Sequence, residues 1–136
     1  DGDAVKCWGY DPYGDWGYVD WITHAIPAQV MGVGSGVDAV SVGGGHVCTI
    51  SGAGRLQCWG DNHKGQLGNG ILEQHNVTVE VVGLGSGVQA VSAGHEHTCA
   101  LTSDGGVRCW GYNAYGQLGN GTTDLSRTPV AVYGLE

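Results

Sequence analysis

A chain of 136 residues with 27 glycines, no phenylalanine and sparse charge is turn-dense and strand-rich, and it is sized for one domain. Its 13 acids against 5 bases leave a net charge of −8, which argues against nucleic acid and anionic membrane as partners, since both are held by clustered Lys and Arg. No run approaches the ~20 apolar residues that would cross a bilayer as a helix, and no leader peptide is legible, so the chain is expected to be soluble and, if secreted, already processed.

Taken in order, residues 1–34 hold Lys6-Cys7-Trp8-Gly9 and then the loop YGDWGYVDW. Residues 35–85 repeat this text more fully, and residues 86–136 repeat it again. Cys7, Cys58 and Cys109 stand 51 apart, as do Trp8, Trp59 and Trp110. The same offset carries His46 onto His97, Cys48 onto Cys99, and Gly65-Gln66-Leu67-Gly68-Asn69-Gly70 onto 116–121. One supersecondary unit has been copied, and the chain holds about two and two-thirds copies.

Each full unit offers four short strands between glycine or polar turns. In the second copy they are Val37–Val42, His46–Ile50, Leu56–Trp59 and Val79–Val82. In the third they are Val88–Ala93, His97–Leu101, Val107–Trp110 and Pro129–Val132. No window shows the 3.6-residue period of a helix, so the expectation is all-β, with four-stranded antiparallel blades of a β-propeller.

The middle hairpin has a definite predicted register. With Ser103-Asp104-Gly105 at the bend, Cys99 faces Cys109 and Leu101 faces Val107 on one side of the sheet, with Arg108 on the other. Opposed strand cysteines lie close enough to bridge, and the same arithmetic pairs Cys48 with Cys58. A zinc site using His46 or His97 competes, but the spacing is not that of a CxxC knuckle, and disulfides are favoured. Persistent disulfides point to an extracellular or periplasmic setting. Cys7 has no counterpart ten residues earlier, so it is expected to be unpaired or linked outside the chain. The first unit then contributes only a third and a fourth strand, with the inner hairpin supplied by the rest of a larger ring or by another chain.

Chemistry is weakly written. Asp15, Asp20, His24, Asp61, His63, His95 and Glu96 are candidate acids and bases, yet none forms a recognised nucleophile, carboxylate-pair or metal motif, and neither metal nor cofactor is expected. His46 and His97 recur just after a glycine turn and read as structural hydrogen-bonding residues. Asp1-Gly2-Asp3 and Asp104-Gly105 read as turns, because no calcium-loop glutamate follows. Two glycosylation sequons occur, at Asn76 and Asn120, and Asn76 is the better acceptor.

The segment GHEHTCALTSDGGVRCWGYNAYGQLGNGT, echoed by GGGHVCTISGAGRLQCWGDNHKGQLGNG, resembles the repeat of the regulator of chromosome condensation family in a cysteine-paired form. That resemblance implies a propeller, typically of seven blades, so this chain would be part of a larger ring or of an oligomeric assembly. The first copy departs from the pattern. Trp16 and Trp21 replace Leu67 and Leu72, and Tyr18 replaces Asn69. With Tyr10 and Tyr13, these aromatics form either a protein-binding surface or the seal over a terminal blade; binding is slightly favoured. The expected function is a non-catalytic, extracellular protein-interaction module. The alternatives are a structural subunit of an extracellular assembly, or an enzyme or enzyme inhibitor on the same scaffold.

Overall fold

The computed structural model describes residues 4–11, 24–30 and 32–136. Ten strands are found among them and no helix: β1 (Lys6–Gly9), β2 (His24–Gln29), β3 (Val37–Val42), β4 (His46–Ser51), β5 (Arg55–Gly60), β6 (His75–Glu80), β7 (Val88–Ala93), β8 (His97–Thr102), β9 (Val107–Gly111) and β10 (Ser126–Ala131). They form an antiparallel pair β1-β2 and two four-stranded meanders, β3-β4-β5-β6 and β7-β8-β9-β10.

The hairpin register is the expected one. Cys48 stands opposite Cys58 and Cys99 opposite Cys109, and both pairs are bonded with Cα atoms 4.1 Å apart. The bends are built locally. Thr102 N–H donates to the Gly106 carbonyl at 2.9 Å, and the Asp104 carboxylate accepts from the Thr102 hydroxyl and from Gly106 N–H, which closes the turn.

The fourth strand of each unit differs from the sequence expectation. It begins at His75 and Ser126 rather than Val79 and Pro129, and ends at Glu80 and Ala131. The apolar alternation marked only its second half. Its first residues pair with Gly60 and Gly111, across a bulge where the register shifts. Val82 has already left the ladder, donating instead to the Gly68 carbonyl at 3.0 Å.

Alternation alone also understated how much of each hairpin is covered. The side of β8-β9 that carries Arg108 also carries Thr98, Ala100 and Trp110, and these three are buried. They pack on the opposite side of the preceding sheet, where Cys48, Ile50, Leu56 and Cys58 form one core with Val88, Ala100 and Trp110. A smaller core repeats the arrangement one unit earlier, with Val47 and Trp59 against Cys7, Val5 and Val30. The cystine side of one sheet thus receives the tryptophan side of the next. Each fully buried indole contributes about 5 kcal/mol of transfer free energy as an upper estimate.

Backbone contact between sheets is close enough to demand glycine. A Cβ at Gly54, whose φ is +82°, would lie 2.5 Å from Val88 N. In its absence, Val88 N–H donates to the Gly54 carbonyl at 3.0 Å.

Candidate binding face

The two ends of the stacked sheets differ. At one end lie the tight β4-β5 and β8-β9 turns. At the other, the short β3-β4 and β7-β8 turns stand beside the long loops that join β5 to β6 and β9 to β10.

A single buried asparagine organises each long loop. Asn62 Nδ2 donates to Asn69 Oδ1 and to the carbonyls of Ile71 and Glu73, while its Oδ1 accepts from Leu67 N–H at 3.0 Å. Asn113 does the same with Asn120, Thr122, Asp124 and Leu118. Both are fully buried, and each satisfies backbone groups that a loop would otherwise leave unpaired. Leu67 and Leu118 anchor these loops in the core.

Behind the loops, a chain of hydrogen bonds joins the two sheets. The Gln66 carbonyl accepts from Trp110 Nε1 and from Thr98 Oγ1, both at 2.9 Å. Because Thr98 spends its one proton there, its oxygen accepts from His46 Nε2 at 2.8 Å, which fixes the histidine tautomer. His46 is fully buried, and its bare Nδ1 finds no partner among the described residues. Burial lowers its pKa to about 4, aided by nearby His97 and His95 and opposed by the Asp61 carboxylate. His46 is a structural residue of the seam, in line with its place after a glycine turn.

In front of the loops, side chains face solvent. Tyr10 and Tyr115 are 71% and 88% exposed. Tyr112 and Tyr115 meet edge to face with centroids 6.2 Å apart, and Lys64 Nζ sits 5.1 Å from the centre of the Tyr112 ring. Asp61 accepts from His63 N–H at 3.0 Å and pairs with its ring. Burial pushes the Asp61 carboxyl up, but the hydrogen bonds and charge of His63 outweigh it and leave it below the usual range. Tyr112 N–H donates to the Glu96 carbonyl at 2.9 Å, which places Glu96 on the same rim. This end carries Asp11, Asp61, Glu73, Glu96 and Asp124 against Lys64 and Arg127, five acids to two bases among the described residues.

Of the aromatics singled out from the sequence, Tyr10 lies on this face, whereas Tyr13, Trp16, Tyr18 and Trp21 fall outside the described residues, as do Asp15 and Asp20. His24 opens β2, paired with Gly9. His95 and Glu96 form the β7-β8 turn, and Asp61 and His63 come together. Among the described residues, no group of three His, Cys, Asp or Glu side chains comes together to hold a metal. Cys7 is half-buried in β1 opposite Ala28, and burial, then the Asp11 carboxylate, pushes its thiol pKa up. Asn76 is exposed on β6. The Asn120 amide oxygen is already committed to Asn113 and Thr122. Sequence reasoning missed Tyr112, Tyr115, Lys64 and the two loop asparagines. Applied twice, the offset of 51 sets Tyr10 and Tyr13 on the positions of Tyr112 and Tyr115, and applied once it sets Asn62 on that of Asn113; Lys64 shares its repeat position with two tyrosines and so gave no signal.

Four-stranded antiparallel meanders at a fixed repeat, stacked face to face with the long loops gathered at one end, define a β-propeller blade array. The matching family models are both described as the regulator of chromosome condensation (RCC1) repeat, one over residues 37–66 and 88–117, the other over 53–101 and 104–136. The chain belongs to the RCC1 repeat family. It is 36% identical over 134 residues to the ultraviolet-B receptor UVR8 of Arabidopsis thaliana, a match covering 97% of this chain and 30% of that protein. It is 33% identical to human E3 ubiquitin-protein ligase HERC2, covering 100% of this chain and 3% of the relative. Among solved structures, human WBSCR16 superposes with a TM-score of 0.82 at 25% identity, over 96% of this chain and 35% of the other. Yeast RCC1 (Prp20) bound to Kap60 superposes at 0.81 with 17% identity, over 95% of this chain and 33% of the other. The chain therefore spans about a third or less of the relatives it matches.

Proposed function

We propose that this chain is a non-catalytic protein-interaction segment of a propeller, acting outside the cytoplasm and binding through the loop end. The observation that carries this reading is the exposure of Tyr10 and Tyr115 beside the half-buried Tyr112, while Asn62, Asn113, Leu67 and Leu118 of the same loops are buried. Loops so anchored hold their outer side chains in place before a partner arrives, which lowers the ordering cost of binding. The related yeast protein is described in complex with Kap60, and also for its binding to Gsp1p and histones, which supports a binding role for such propellers. The two cystines support an oxidising compartment.

The remaining blades of a larger propeller are a second class of partner. Leu101 is 37% exposed, whereas its counterpart Ile50 is 4% exposed within the seam, so the third unit offers an open copy of a face that elsewhere receives another sheet.

Affinity capture from the source's own proteins, with Trp16→Ala/Trp21→Ala and Tyr112→Ala/Tyr115→Ala chains alongside, tests the interaction reading. A partner held by the parent chain and reduced several-fold on the variants, with thermal unfolding nearly unchanged, is expected. Capture indifferent to both pairs would overturn it.

A further inference from the structure

The chemistry of the partner can be taken further, resting on the interaction reading above. The exposed rim offers π-faces and carboxylates. Tyr115 projects almost wholly into solvent, packed edge-on against Tyr112. Lys64 already stands over the Tyr112 ring, so a ring on this rim accepts a cation in the geometry that attracts one. Glu96, beside Tyr112, makes no ion pair among the described residues. The acid excess at this end gives the sign of the field that an approaching protein meets, and an acidic rim steers basic surfaces in and repels acidic ones.

We propose that the loop end docks a basic protein segment, whose arginine or lysine side chain lies on the exposed Tyr115 ring, beside the Tyr112–Lys64 pair, and is neutralised by Glu96. Arginine suits the site best, because its planar guanidinium stacks on tyrosine while its edge hydrogen-bonds a carboxylate. Asp61 contributes less, since His63 and Gln66 already engage its oxygens.

The test uses the full chain and three fluorescent probes: an arginine nonapeptide, a glutamate nonapeptide and a single-stranded DNA oligomer. At about 150 mM salt, where long-range attraction is screened, the arginine peptide should bind and the other two should not. Tyr112→Ala/Tyr115→Ala should weaken that binding about fivefold or more, and Glu96→Gln about threefold, in line with one lost cation–π contact and one lost charge partner. Asp38→Asn/Asp104→Asn, toward the opposite end, should leave it unchanged. Equal losses from the two ends would reduce the effect to overall charge and overturn the proposal, as would preference for the glutamate peptide or DNA. If the loop variants lose a natural partner that the arginine peptide does not displace, the basic-segment proposal fails while the interaction reading stands.

Discussion

His46 on β4 donates through Nε2 to the Thr98 hydroxyl on β8, 2.8 Å away, and this contact ties two successive blades together in a fully buried seam. Its consequence is a pH dependence of known sign. The folded-state pKa, about 4, lies below the ordinary 6.5, so the unfolded chain takes up a proton that the folded chain refuses. The His46 contribution is therefore intact above pH 6.5, is lost progressively as pH falls toward 4, and amounts to about 3 kcal/mol in full. Urea unfolding from pH 7 to pH 4 should show that decline, and His46→Gln should flatten it. An equally steep decline in the variant would move the effect elsewhere.

The two cystines should differ in what they contribute. Each closes a loop with a sequence separation of 10, worth about 3 kcal/mol on the chain-entropy model. Cys48 and Cys58 are wholly buried in the inter-blade core, whereas Cys99 is only half-buried. Cys48→Ala/Cys58→Ala should cost about 1–2 kcal/mol more than Cys99→Ala/Cys109→Ala, because it also opens a cavity. Chemical denaturation of the two double variants measures the difference.

Removing the asparagine side chain at 113 should loosen a whole loop. Asn113→Ala leaves Leu118 N–H and the carbonyls of Thr122 and Asp124 without their partner, at a cost of about 2–3 kcal/mol. Faster amide exchange at Leu118, with the β8-β9 strands still protected, is the expected signature.

Gly52 and Gly54 flank one bend and predict opposite tolerance. Both have positive φ, but a Cβ at Gly52 meets open space, while one at Gly54 meets the Val88 and Gly87 backbone below 3 Å. Gly52→Ala should cost about 1 kcal/mol, the ordinary penalty of a left-handed alanine. Gly54→Ala should cost well over twice that, since the backbones of two units must part. Paired melting curves decide it.

Much of the fold was legible because the repeat states it three times. The offset that aligns Cys48 with Cys99 and Trp59 with Trp110 determined the blades, and the bend at Ser103-Asp104-Gly105 determined the register that pairs Cys99 with Cys109. The start of β6 escaped because His75, Asn76 and Thr78 are polar and lie opposite a bulge, where neither alternation nor propensity speaks. The burial of Trp110 escaped for a different reason. A single hairpin has an inside and an outside, and only stacking makes both sides interior, so the role of Trp110 depends on the neighbouring sheet. The loop rim was half legible. Tyr10 stood out for its aromatic neighbours, whereas Tyr112 and Tyr115 sit among glycines and asparagines and are tied to Tyr10 and Tyr13 only when the offset is applied twice.

Successive copies of the repeat sharing one core across the seam is the claim on which the proposed binding face depends, because the loops are anchored there. Native-state hydrogen exchange on Trp110→Leu tests it most directly. Protection should fall together in β4 and β5 of one blade and in β8 and β9 of the next, since Trp110 shares one buried core with Cys48, Ile50 and Leu67 of its neighbour. Loss of protection confined to β8 and β9 would show blades that fold independently, and would contradict the shared seam.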